Sequence, residues 1–60
     1  MFKLLIVTKK GVTQWSGHNY SKEWLADQSA TQLLAGGNVE HIYLCIQKSA
    51  HGVEVVKQYA

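Results

Sequence analysis

The sequence predicts an α+β domain of ββαββ order, in which one helix packs on one face of a four-stranded antiparallel sheet. Three observations carry this. Two runs, Phe2-Lys3-Leu4-Leu5-Ile6-Val7-Thr8 and His41-Ile42-Tyr43-Leu44-Cys45-Ile46, are apolar at alternate and at adjacent positions, so as strands they present apolar side chains to both sides of a sheet. A single segment carries apolar residues at helical spacing. Glycines punctuate the chain between these segments, where turns and helix ends need them.

Residues 2 to 9 read as the first strand. Lys10-Gly11 is the turn, and residues 12 to 17 resume as a second strand with Val12, Thr13 and Trp15. A two-residue turn pairs Ile6 with Trp15 and Thr8 with Thr13, and places Trp15 with Phe2, Leu4 and Ile6. A three-residue turn, Lys9 to Gly11, would move Trp15 to the face of Leu5 and Val7, because a one-residue slip inverts a strand. The two-residue turn is the favoured expectation.

Gly17-His18-Asn19 reads as a loop. Ser21 is the expected helix N-cap, Tyr20 and Leu25 stand at hydrophobic-staple spacing, and Glu23 suits the positive end of the helix dipole. The helix is expected from Lys22 to about Ala35, ended by Gly36-Gly37. At 100° per residue, Leu25, Ala26, Ser29, Ala30 and Leu33 form one stripe with Leu34 at its margin, and Trp24 falls nearly opposite Leu33. Val39 to Lys48 reads as the third strand, Ser49 to Gly52 as a connection, and Val53 to Tyr59 as the fourth strand.

The two most apolar strands belong in the middle, which favours the sheet order 2-1-3-4 over 1-2-3-4. The expected core is Phe2, Leu4, Ile6, Trp15, Leu25, Ala26, Leu33, Ile42, Leu44 and Ile46. One helix covers one side of the sheet. The other side is expected to show Leu5, Val7, His41, Tyr43, Cys45 and Val56 to water or to a partner.

Size and composition narrow the function. At 60 residues the chain is one small domain; such domains bury only ~60% of their unfolded surface and are marginal without staples or partners. The single cysteine, Cys45, excludes an internal disulfide, and no cluster has zinc-ligand spacing. No stretch reaches the ~18 apolar residues of a membrane span. The N-terminal apolar run is followed by Lys9-Lys10 without a cleavage site. A lone cysteine of buried type suits a reducing compartment, so the expected location is the cytoplasm.

Enzyme chemistry finds little support. Glu23 and Asp27 lie one helical turn apart on a solvated face, as ordinary surface charge does. His41 and Cys45 share one strand, about 13 Å apart at ~3.3 Å per residue, too far for a nucleophile–base pair or a shared metal. No Gly-rich phosphate loop or nucleophile elbow is present. No cofactor and no metal are expected.

Nucleic-acid binding is the main alternative. Tyr43 on a sheet face, with Lys3 and Lys57, could stack and neutralise a single strand. The formal net charge is only +2 and there is no arginine, the usual bidentate reader of phosphate and guanine.

Protein binding is the leading expectation. Trp24, Tyr43, Leu5 and Val7 would supply apolar contact, and Lys9, Lys10, Lys22 and Lys48 would steer the protein toward an acidic surface. A homodimer through the open face or through the fourth strand's edge is the third reading. In size and hairpin–helix–hairpin order, and without a diagnostic motif, the whole chain resembles small phage and mobile-element proteins that disable host machinery, anti-CRISPR proteins among them. The resemblance implies a compact, cofactor-free, non-catalytic inhibitor acting in the host bacterial cytoplasm. It would block a surface of a host protein complex. Many such inhibitors are acidic DNA mimics; the mildly basic charge here points instead to occlusion of a protein surface.

Overall fold

The computed structural model describes residues 1–60. Its elements are β1 (Phe2–Thr8), β2 (Thr13–Trp15), α1 (Glu23–Ala35), β3 (Val39–Gln47) and β4 (Val53–Gln58). The strands form one antiparallel sheet in the order β2-β1-β3-β4. The helix backbone lies over β1 and β3 rather than over either edge strand, and it meets β4 through side chains, Glu23 and Asp27 against Lys57. This is the α+β, ββαββ arrangement that the sequence predicts, with the two most apolar strands in the centre.

The first hairpin departs from the favoured expectation. Leu5 pairs with Trp15 and Val7 with Thr13, so the loop is Lys9-Lys10-Gly11. The Thr8 amide donates to the Val12 carbonyl at 2.9 Å, and the Gly11 amide donates to the Thr8 carbonyl at 2.9 Å. The reason is conformational. A two-residue type I′ turn needs positive φ at both central positions, and one of them would be Lys10. In this loop only Gly11 takes positive φ, at 85°. Trp15 therefore leaves the core and joins the face of Leu5 and Val7.

The helix start also differs. Lys22, extended at φ −134°, is the N-cap and makes no side-chain capping bond; Ser21 is not the cap, and α1 begins at Glu23. The cause lies just upstream. Tyr20 and Phe2 exchange backbone hydrogen bonds of 2.8 Å in each direction, which ties Tyr20 to the sheet and delays the helix by one residue. At the other end Gly37, at φ 78°, stops the helix as expected.

The core is small. Leu4, Ala26, Ala30, Ile42 and Leu44 are fully enclosed, with Phe2, Tyr20, Leu33, Leu34, Val39 and Tyr59 packed around them. Alanine at positions 26 and 30 lets the helix backbone approach the sheet closely. Ile6 is buried, whereas Ile46 and Leu25 are only half-buried at the margins. The helix is fastened at one side by polar contacts. The Tyr59 hydroxyl donates to the Asp27 carboxylate, and the Lys57 ammonium lies 3.1 Å from Asp27 and 3.7 Å from Glu23. No helix is long and apolar enough to cross a membrane.

A candidate interaction surface on the uncovered sheet face

Residues paired directly across an antiparallel sheet share a face, so the registers define the side that α1 leaves bare. Leu5 stands between Trp15 and Tyr43, making a row of three large side chains across β2, β1 and β3. The next row is Lys3, Cys45 and Val55. On the other side of the first row lie Thr13, Val7 and His41. Leu5, Val7 and Tyr43 are half-buried by their neighbours alone, while Trp15 is 48% exposed and Val55 56% exposed.

The charge on this face is one-sided. The Lys3 ammonium sits 5.6 Å from the centre of the Trp15 ring, within cation–π range. Glu54 pairs with Ile46 and so lies on the helix side, and Glu23 and Asp27 belong to α1. Glu40 occupies the irregular position between the Val7–His41 and Thr8–Val39 pairs, at the end of the sheet. The rows that contain Trp15, Leu5, Tyr43 and Lys3 thus hold a cation and no carboxylate. His41 adds a tilted ring 6.2 Å from that of Tyr43.

Two expected members of this face behave differently. Cys45 is 1% exposed rather than open. It is a short side chain on a central strand, overshadowed by Lys3 on one side and Val55 on the other, and burial pushes its thiol pKa up. Val56 is the extra residue of a bulge between the Leu44–Lys57 and Cys45–Val55 pairs, so Val55 takes the place on the face. Lys57 is not near Tyr43: its partner Leu44 faces the helix.

The other candidate residues do not converge. Trp24 is 56% exposed, but two residues before the enclosed Ala26 it points away from the sheet, on the opposite side of the molecule from Tyr43. Lys9 and Lys10 are in the first hairpin loop. Lys48 begins the second hairpin loop at the far end of the sheet, 2.5 Å from Glu54, and Lys22 caps the helix. All four lysines are exposed, and they form no single basic patch. One flat partner cannot touch both Trp24 and the Tyr43 row.

No family model, curated protein or solved structure matches this chain.

Trp15 reaches this face only in the less favoured three-residue-turn reading of the sequence, and Lys3 is placed beside Tyr43 only in the nucleic-acid alternative. The signal for Trp15 was present in Lys10-Gly11 itself, since lysine resists the left-handed conformation that the shorter turn demands. A second concavity lies on the helix side. Ile6 and Leu33 floor a cleft of about 390 Å³, rimmed by Gln14, Ser16, Gln32 and Trp15 among others, where the three-residue β2 leaves the helix margin uncovered. It holds no Asp, Glu or Lys. No group of three His, Cys, Asp or Glu side chains is placed to hold a metal.

Proposed function

We propose that this chain is a small non-enzymatic binding protein that seats the uncovered sheet face on a partner protein and occludes it. It would be of the kind that phages and mobile elements direct against host complexes. The observation that supports this reading is the Trp15–Leu5–Tyr43 row, an aromatic–aliphatic–aromatic strip left bare by the only helix. Rigid aromatic anchors at the centre of a patch, with polar groups around them, are the usual source of binding energy between proteins. Lys3, His41, Thr13 and Gln58 would form the polar surround. The excess of cation over carboxylate on this face favours a partner with an acidic rim. Enzymatic use of Cys45 is disfavoured, because a buried thiol with a raised pKa yields little thiolate.

A second reading is favoured by the same residues. Trp15 and Tyr43 on one sheet face, with Lys3 over the indole, are the parts of a platform for single-stranded nucleic acid. It lacks arginine and a continuous basic track for the phosphates, so protein binding is the reading preferred.

The test is capture of partners from a bacterial lysate by the wild-type protein, Trp15→Ala, Tyr43→Ala and Trp24→Ala, each checked for native circular dichroism. A specific partner should be weakened by about 30-fold, ~2 kcal/mol, by Trp15→Ala or Tyr43→Ala and left nearly unchanged by Trp24→Ala. Retention of the partner by folded Trp15→Ala and Tyr43→Ala proteins would refute the reading. Mixed single-stranded oligonucleotides are the control. Binding at ~50 mM salt that falls steeply as salt rises would move the assignment to nucleic acid.

A further inference from the structure

We propose that β4 is a self-pairing edge, with Glu54 of one copy set opposite Lys57 of the partner subunit in an antiparallel β4–β4 ladder. All six residues of β4 are exposed, since the helix backbone stops over β1 and β3 and touches β4 only at Lys57, through Glu23 and Asp27. Val53, Val55 and Val56 keep 43%, 56% and 46% of their surface open. The Lys48 amide donates to the Gly52 carbonyl at 2.9 Å across the hairpin. Alternation of hydrogen-bonded pairs then turns the Glu54 backbone toward β3 and leaves the backbone groups of Val53 and Val55 facing outward, unpaired. Such an edge is a template for another strand.

The charge pattern selects a second copy and one register. In a regular strand, residues three apart lie on opposite faces. Here the bulge at Val56 intervenes, so Glu54, opposite Ile46, and Lys57, opposite Leu44, both lie on the helix side. When β4 is laid antiparallel to itself about a centre between Val55 and Val56, Glu54 meets the partner subunit's Lys57, and Lys57 meets the partner subunit's Glu54. Val53 meets Gln58 of the partner subunit on the open side, and the two bulges lie against each other. A lysine and a bulge ordinarily protect an edge from foreign strands; in this register Lys57, which already holds Asp27 and Glu23 of its own subunit, faces one more carboxylate across the ladder, and the bulges match. Directly opposed residues share a face, so both helices lie on one side and the two bare faces join on the other. The dimer would thus leave the Trp15–Leu5–Tyr43 rows accessible. A six-residue ladder buries less than the ~1,200 Å² of a standard interface, which makes this a weak, concentration-dependent dimer.

Sedimentation equilibrium tests the register. The wild-type protein should rise from 6.7 kDa toward twice that mass as concentration increases, over a range up to ~0.5 mM suited to so small an interface. Glu54→Lys and Lys57→Glu should each remain monomeric. An equimolar mixture of the two should dimerise again, because lysines at 54 and 57 of one chain then face glutamates at both positions of the other. A wild-type protein that stays monomeric throughout overturns the proposal, as does a dimer indifferent to both reversals, or variants that do not associate when mixed. Lys57→Glu also replaces attraction to Asp27 and Glu23 by repulsion within the subunit. If it fails to fold, Glu54→Lys decides alone, since Glu54 pairs only with exposed Lys48: monomer supports the register and dimer refutes it. Trp15→Ala should dimerise like wild type, so failure here and failure of partner binding are separate results.

Discussion

The hydroxyl of Tyr59 donates to the carboxylate of Asp27, joining the residue just beyond β4 to the second turn of α1. The backbone holds this strap to the sheet as well, through the Tyr59 amide and the Ile42 carbonyl at 2.8 Å. A helix whose only fully buried residues are two alanines, with Leu33 and Leu34 partly buried beside them, has limited apolar area with which to resist rolling, and the polar tie adds a second attachment.

The tie makes stability depend on pH at both ends of the scale. Tyr59 first, then Lys57, holds the Asp27 carboxyl below its ordinary value of 3.8. That contribution is complete above the ordinary value and is lost as pH falls through the lowered one. Burial, and then the Asp27 hydrogen bond, raises Tyr59 above 10.0, and the Asp27 hydrogen bond raises Lys57 above 10.5. Their contributions are complete below those ordinary values and are lost as pH rises through the raised ones. Tyr59→Phe should move the Asp27 titration, followed by carboxyl NMR, back toward 3.8 and lower Tm at neutral pH. An unchanged Asp27 titration would show that Lys57 alone sets it.

Gly11→Ala tests the three-residue loop. At φ 85° an added Cβ meets no neighbour within 4 Å, so the whole cost is conformational, about 1–2 kcal/mol. In a domain of this size that lowers Tm by about 8–16 °C. Gly36→Ala is the control: its φ of −70° is ordinary helix, and it should hold or raise Tm.

The core predicts an asymmetry between large residues. Ile42→Ala removes a fully enclosed side chain and should cost about 2–5 kcal/mol, enough to unfold much of a 60-residue protein whose seven buried residues form so small a centre. Ala30→Leu should cost about 1–3 kcal/mol by forcing the helix off the sheet. Trp15→Ala, although it deletes a larger side chain, should shift the urea midpoint far less, because Trp15 is already 48% exposed. Equal losses for Ile42→Ala and Trp15→Ala would return Trp15 to the core.

Cys45 reports on the cover that Lys3 and Val55 provide. Its buried thiol with raised pKa should react slowly with an aromatic disulfide reagent at pH 8 and rapidly in denaturant. Val55→Gly should speed the native reaction. A wild-type thiol that reacts at the denatured rate would mean that this face is open down to the backbone.

Much of the architecture was legible in the sequence because it rests on short-range patterns. The two double-faced apolar runs place β1 and β3 in the centre. The small-residue stripe names the buried helix face through Ala26 and Ala30, and Gly36-Gly37 marks the helix end. The candidate surface was legible in part: Leu5, Val7 and Tyr43 follow from strand alternation, while the helical spacing of Trp24 gives its exposure. Trp15, Ser21, Cys45 and Val56 were misread, each for a reason of geometry beyond simple periodicity. One extra loop residue inverts β2, the Phe2–Tyr20 bridge delays the helix, taller neighbours hide the cysteine, and a bulge exchanges one valine for the next.

The sequence by itself determined which segments are strands and helix, and that one helical layer must leave half of the sheet without cover, because side-chain alternation and helical spacing are properties of the local chain. Only the tertiary structure decided which residues share the bare side. Loop length and bulges set the phase of each strand relative to its neighbour, and that phase is fixed by pairing between distant segments. It brought Trp15 beside Leu5 and Lys3, sent Lys57 to the helix, and separated Trp24 from Tyr43 by the thickness of the domain.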